Sequence, residues 1–316
     1  MSTTIGSMSA IKVMRARATL SCGLGGPDNL ALKLFRHSSP LGSETYVCGM
    51  QSFLFCFHIL ERWNIKLTKR IYTDQLTSLI MPQVGSVAYI QARTCWLDDV
   101  VEEFVRRHAG SSRKVANIVI LGAGFDTRCY RDNLNLKHRG VHTFEVDARG
   151  TQREKLKLLQ KCGISHQGVI FVECDFSSQN WMDCLLQDGK LDISLPTLFV
   201  WEGVTMYLER QTIELTLKLV SNKCASGSCI AFDYLDPTWS MTPTFQHLTA
   251  RSGEPWLFGA TTNDAVEIVL SQGLNIWDHL HGPILRERYL PKRANGQPIG
   301  FLGDKFGGFI VAGKVN

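Results

Sequence analysis

Residues 117–124 read NIVILGAG, an apolar run that stops on two glycines one residue apart. A short run rich in Ile and Val that ends on glycine predicts a buried strand turning sharply at its end. Alternation follows. VHTFEVD (141–147) predicts a strand and TQREKLKLLQKCG (151–163) a helix stopped by glycine. VIFVECD (169–175) and TLFVWEG (197–203) predict strands, with a helix over 209–223. GSCIAFDY (227–234) predicts a strand and NDAVEIVLSQG (263–273) a helix. LNIWDHL (274–280) and FGGFIVAGKV (306–315) predict two late strands. Strands alternating with helices imply an α/β fold with a mostly parallel sheet covered on both faces. The two closing strands lack a long helix between them and suggest an antiparallel finish at one edge.

Residues 1–90 read as mainly helical, with breaks at GLGGPD (23–28), SSPLGS (38–43) and MPQVG (81–85). We therefore expect a helical cap over 1–90 and an α/β unit over 91–316, together forming one compact body. ARTCWLDDVVEEFVRR places Leu97, Val100, Val101, Phe104 and Val105 on one helical face. The most apolar window, Tyr46 to Leu60, contains Gln51 and His58. It falls short of the roughly 20 apolar residues a bilayer span needs, so no membrane partner is expected.

A net charge of +5 without a long basic run reads as a solvated surface and gives no sign of nucleic-acid binding. The ten cysteines form no CxxC pair and no zinc spacing with histidine, so no metal is expected. Several lie inside apolar runs, which suggests a reducing, cytoplasmic setting. The first 27 residues hold Lys12, Arg15 and Arg17 and no acid. That pattern superficially suggests an organelle transit peptide, but it also reads as an ordinary basic helix.

In an open α/β sheet, ligands bind at the carboxyl ends of the strands. Here successive strands end on Gly122-Ala123-Gly124, on Glu145-Val146-Asp147, on Cys174-Asp175-Phe176 and on Trp201-Glu202-Gly203. Three acids at one rim are ill suited to a bound phosphate. Thr127 also stands where a dinucleotide fingerprint has its third glycine. Acids suit hydroxyls, an exocyclic amine and a cation, which together describe S-adenosylmethionine. Glycines would let the backbone approach the methionine part. Asp147 would accept both ribose hydroxyls and Asp175 would sit beside the adenine, with Phe176 as an apolar wall. Glu202 would receive the amino group, and Arg93 would pair the carboxylate. Asp126 and Arg128 would brace the turn.

In order, ARTCWLDD, VILGAGFDTRCYR, FEVD, ECDF, WEGVTMYL, GEPWLFG and LRERYL resemble the motif series of the leucine carboxyl methyltransferase family, in its branch of S-adenosylmethionine-dependent methyltransferases. The resemblance runs from about Pro82 onward and is weaker over SAIKVMRARATLS and PDNLALKLF, which look like the family's opening helix. It implies a class I, Rossmann-like methyltransferase fold of seven strands with the last antiparallel, under a helical cap. Family cofactor contacts fall on Arg93, Gly122, Asp147, Asp175, Phe176 and Glu202; Gly124 joins them from the strand-end reading. Phe176 replaces the family's usual leucine, Ala148-Arg149 stand where proline is usual, and the family's N-terminal lysine contact has no match.

The expected chemistry is in-line O-methylation of a small-molecule carboxylate or hydroxyl. An ionised carboxylate needs no base, whereas an aliphatic hydroxyl does. His142, His247, His279 and His281 show no obvious carboxylate partner, which tilts the expectation toward a carboxyl acceptor. Tyr207, Trp256 and Arg288 are candidates for the acceptor side. Alternatives are methylation of a protein C-terminal leucine, a nicotinamide dehydrogenase disfavoured by Thr127, and a non-catalytic cofactor-binding module.

Overall fold

The structure is a computed structural model that describes residues 8–21, 27–38, 82–109, 115–187, 191–251, 253–290 and 305–314. The apolar window at 46–60 lies outside these residues. Three helices precede the sheet: α1 (Met8–Ser21), α2 (Asn29–Ser38) and α3 (Pro82–His108). Alternation then follows as β1 (Ala116–Leu121), β2 (Val141–Asp147), α4 (Arg149–Lys161), β3 (Val169–Glu173), α5 (Trp181–Gln187), β4 (Thr197–Trp201), α6 (Arg210–Lys223) and β5 (Cys229–Leu235). The rest comprises α7 (Pro237–Ser240), α8 (Pro243–Arg251), α9 (Thr262–Ser271), β6 (Asn275–His281), α10 (Gly282–Tyr289) and β7 (Gly307–Gly313).

The seven strands are ordered β3-β2-β1-β4-β5-β7-β6. All pairings are parallel except those of β7, which runs antiparallel to both β5 and β6. This is the topology implied for a class I, Rossmann-like methyltransferase fold. The expected antiparallel finish at one edge is present, made by the two closing strands. β7 enters the sheet one place in, and β6 forms the edge. Strand order is a long-range property that local periodicity does not carry.

The expected break at MPQVG needs correcting. Pro82 starts α3, because proline's fixed φ suits a first helical turn. The boundary drawn at 90/91 falls inside this one continuous helix. As expected, Leu97, Val101, Phe104 and Val105 are buried, and they cover one sheet face with Ile118, Ile120, Leu198 and Val200. Val119, Leu121, Phe144, Phe199 and Phe232 point to the other face, beneath α5, α6 and α9. A third cluster packs Met14 and Ala18 of α1 and Leu34 and Phe35 of α2 against Leu158 and Leu159 of α4. Phe125, next to the glycine turn, belongs to that cluster too.

Buried ion pairs fix the first three helices to the strand ends. Glu202, just beyond β4, accepts from Arg17 of α1 at 2.5 Å, Arg93 of α3 at 3.0 Å and Arg128 at 2.6 Å. Arg93 also meets Asp233 of β5 at 2.6 Å. Arg128 bridges on to Asp126 and, at 2.8 Å, to Asp98 of α3. Asp98 in turn holds Arg131 at 2.6 Å, and Arg131 reaches Asp28 at 3.1 Å. Asp28 is the N-cap of α2, accepting from the Ala31 N–H at 3.0 Å. Apart from Asp98, every one of these side chains is at most 5% exposed.

Burial alone would push the Glu202 carboxyl up, but Arg17, Arg128 and Arg93 outweigh it and hold it well below its usual 4.5. Burial likewise opposes ionisation of Asp126, and Arg128 and Arg17 bring it below its usual 3.8. Groups with folded values below their unfolded values add stability that is complete above the unfolded value and disappears as pH falls. Stability should therefore decline as pH drops below the usual 4.5 of Glu202, followed by urea unfolding at stepped pH. Arg128→Met would strand Glu202, Asp126 and Asp98 with one partner fewer, and should cost about 3–5 kcal/mol in the same measurement at pH 7.

Candidate functional site

At the carboxyl ends of β3, β2, β1 and β4 lies a cleft of about 430 Å³, a volume typical of sites for small molecules. All seven residues expected to hold a cofactor line it: Arg93, Gly122, Gly124, Asp147, Asp175, Phe176 and Glu202. The topology explains the convergence. Neighbouring parallel strands deliver their ends to one rim, and the rim is closed by α1 and by residues 254–257.

The glycine turn wraps around Asp147. Gly122 and Ala123 N–H groups both donate to the Val146 carbonyl, bending the chain over the end of β2. The Gly124 N–H then donates to one Asp147 carboxylate oxygen at 2.5 Å, and the Ala148 N–H donates to the other at 2.6 Å. Gly122 sits at φ 68°, and a Cβ there would lie 2.5 Å from Val204 Cγ2. Only glycine fits that conformation and that approach. Burial raises the Asp147 carboxyl above its usual 3.8, opposed by the two backbone donors and by Lys155. Lys155 is itself buried beneath this strand, paired with Glu145 at 2.6 Å. Each Asp147 oxygen keeps a further lone pair for a ligand hydroxyl.

Asp175 is exposed and caps the turn after β3, accepting from the N–H and the hydroxyl of Ser177 at 2.9 and 2.6 Å. These bonds hold its carboxyl below the usual value. Phe176 stands beside it on the cleft wall, half-buried against the Val119–Phe144 face of the core.

Glu202, expected to receive the cofactor's amino group, lines the cleft and is already engaged by arginines. Its carboxylate is the anion at the centre of three guanidiniums, so a ligand amine would compete with Arg17, Arg93 and Arg128 for it. Asp126 and Arg128 brace the turn as expected: Asp126 accepts from both the backbone N–H and the guanidinium of Arg128.

Arg17 is the residue that sequence reasoning missed. It reaches the cleft from α1 along with Ser9, Ala10, Val13 and Met14. It is 4% exposed, and its Nε has no hydrogen-bond partner among the described residues. Helical spacing was the available signal, since these five residues share one face of α1. A buried guanidinium nitrogen without a partner, beside Arg93 and the glycine turn, fits the carboxylate of a bound amino-acid group.

The acceptor-side candidates divide. Tyr207 lines the cleft. Trp256 does not: its ring stacks on Phe245 at 5.9 Å and meets Trp239 edge-on at 5.7 Å, while its neighbours Pro255 and Leu257 face the cleft. Arg288 is elsewhere, on a separate groove between α3 and α10, 4.0 Å from Asp278 and 5.5 Å above the Tyr289 ring. The alternation of directions in loops and short helices is too irregular for sequence to fix such orientations. None of the described residues lining the cleft is histidine. His279 instead meets the Tyr234 hydroxyl at 2.9 Å, where burial lowers it to about 4.

Comparison with known proteins agrees with this geometry. The chain is 31% identical over 183 residues to a Bacillus subtilis protein named provisionally as an S-adenosyl-L-methionine-dependent methyltransferase, covering 55% of this chain and 59% of that one. A Streptomyces coelicolor protein with a name of the same kind is 34% identical over 140 residues, covering 44% and 46%. The matches thus span about half the length of these relatives. Among solved structures, a duf574 family protein from Streptomyces avermitilis superposes with a TM-score of 0.50 at 17% identity, over 71% of this chain and 83% of that one, a likeness of fold. The sequence pattern of the leucine carboxyl methyltransferase family matches residues 57–221, more than half of the 316 residues, and the chain belongs to that family.

Proposed function

We propose that this chain is an S-adenosylmethionine-dependent O-methyltransferase acting on a small molecule. The observation that carries this reading is the convergence of the glycine turn, Asp147, Asp175, Phe176, Arg17 and Arg93 on one cleft. Asp147 would hold the ribose diol, Phe176 would flank the adenine, and the turn at 122–124 would lie against the methionine part. Arg17 and Arg93 would meet the carboxylate, the first through its unpartnered Nε. When bound, the cofactor supplies a methyl group on a sulfonium, which is already activated for displacement. The chain's own task is then to exclude water and align an acceptor oxygen. α1 closes one side of the cleft, and its first turn is tied to the far rim by the Ser9 N–H donating to Glu254 at 2.8 Å.

The family description favours one other acceptor, a protein C-terminal leucine carboxylate. A C-terminal leucine peptide assayed beside small-molecule acceptors separates the two, and methylation of the peptide alone would replace the small-molecule reading.

Calorimetric titration with S-adenosylmethionine should show binding at one site. Asp147→Ala should weaken it at least tenfold, because a buried diol loses a charged partner. Affinity should also fall as acid protonates Asp147, at a pH above the usual 3.8. Unchanged affinity in the variant would remove Asp147 from the site.

A further inference from the structure

Resting on the methyl-transfer reading, we infer that Asp233, with Tyr89 behind it, is a positioning residue that aims Arg93 so that the cleft selects a sulfonium nucleoside carrying a carboxylate. Asp233 is on β5 and is not among the residues lining the cleft. Along that strand Ala231 and Leu235 pack with α3, while Phe232 and Tyr234 pack on the other face. Alternation puts Asp233 on the α3 side with the first pair. It is fully buried, and the other six residues of the strand are uncharged. A carboxylate in such a place is costly unless its oxygens are occupied.

Both oxygens are occupied. Oδ1 accepts from the Gly203 N–H at 2.6 Å. Oδ2 accepts from Arg93 Nη1 at 2.6 Å and from the Tyr89 hydroxyl at 3.1 Å. Tyr89 and Arg93 stand four residues apart on one face of α3, with the guanidinium 5.6 Å from the centre of the tyrosine ring. Glu202 takes the Arg93 Nε at 3.0 Å. A guanidinium is planar, so fixing Nε and Nη1 fixes the direction of Nη2. Nη2 makes no hydrogen bond with the described residues. Gly203 leaves room for this fork, since a Cβ there would stand 3.1 Å from both Nη1 and Nη2. Arg93 and Gly203 both line the cleft, so Nη2 is the corner left for a ligand oxygen.

The two acids that hold Arg93 act differently. Glu202 is shared among three arginines, whereas Asp233 pairs with Arg93 alone among the described residues. Burial by itself would lower the Arg93 guanidinium from its usual 12.5, but Asp233 first and Glu202 second outweigh it and raise it. Without the Asp233 charge, Nη1 loses its acceptor and the side chain can settle on Glu202 alone, which turns Nη2 away from the ligand. The strand order says which part of the ligand is affected. Gly203 lies beyond β4, two strands from Asp147 at the end of β2, and Asp175 lies on the opposite side at β3. A cofactor whose ribose is held at Asp147 and whose adenine lies toward Asp175 therefore brings its amino-acid end to Arg93.

The defect expected on losing this aim is confined to ligands with a carboxylate. Calorimetry compares S-adenosylmethionine with its decarboxylated counterpart, which keeps the adenosyl sulfonium and the amine. The wild type should bind S-adenosylmethionine at least about tenfold more tightly, the worth of one charged hydrogen bond. Asp233→Asn should weaken S-adenosylmethionine at least about tenfold and leave the decarboxylated compound within about twofold. Circular dichroism and urea unfolding check that the variant is folded. Tyr89→Phe keeps every charge and the ring, and decides the matter if Asp233→Asn does not fold. It should weaken S-adenosylmethionine about threefold and leave the decarboxylated compound unchanged. A purely structural role would weaken both ligands alike; that result, or an unchanged preference in either folded variant, would overturn the inference. A wild type that binds the two ligands equally would overturn it as well and leave the methyl-transfer reading standing. A wild type that binds neither would sink the earlier reading first.

Discussion

The architecture depends on one buried carboxylate. Glu202 gathers Arg17, Arg93 and Arg128 from three separated parts of the chain, and each arginine continues to a further acid. Desolvating so many charges is costly, and an isolated pair of this kind often adds no net stability. A connected set is different, because each charge compensates several others and the directional fork of guanidinium fixes relative positions. The arrangement therefore acts chiefly on geometry. It sets where α1 and α3 sit relative to the strand ends, and so determines the shape of the cleft.

That dual use explains why an acid at a strand end was legible while its job was not. Pattern reasoning located Asp147, Asp175 and Glu202 correctly at one rim, because parallel strands must present their carboxyl ends together. What each carboxylate touches depends on partners far away in sequence. Arg17 lies 185 residues from Glu202, and Arg93 lies 109 away. Arg17 reads locally as one more positive charge in a basic stretch. Its burial against Glu202 is decided by how α1 packs on α4 and Phe125, which no local window encodes.

The same distinction holds across the fold. Strands and helices with strong periodicity were legible to within two or three residues, β1, β2 and α6 among them. Gly122 and Gly124 were legible because a turn this tight leaves few residue choices. Trp256 and Arg288 show the opposite case. Both follow motifs that resemble the family's, but one ring is spent on packing Phe245 and Trp239, and the other side chain faces a different groove. Membership in a motif placed the backbone and left side-chain direction open.

The position of β7 between β5 and β6 bears on how the chain is assembled during synthesis. Until residues 307–313 leave the ribosome, β5 has one bare edge and β6 has no partner at all. From the synthesis of β5 until β7 emerges, the growing polypeptide therefore carries an exposed, hydrogen-bond-hungry flank, the situation in which strand edges invite aggregation or chaperone capture. Deleting this segment would take away two strands' worth of pairing at once.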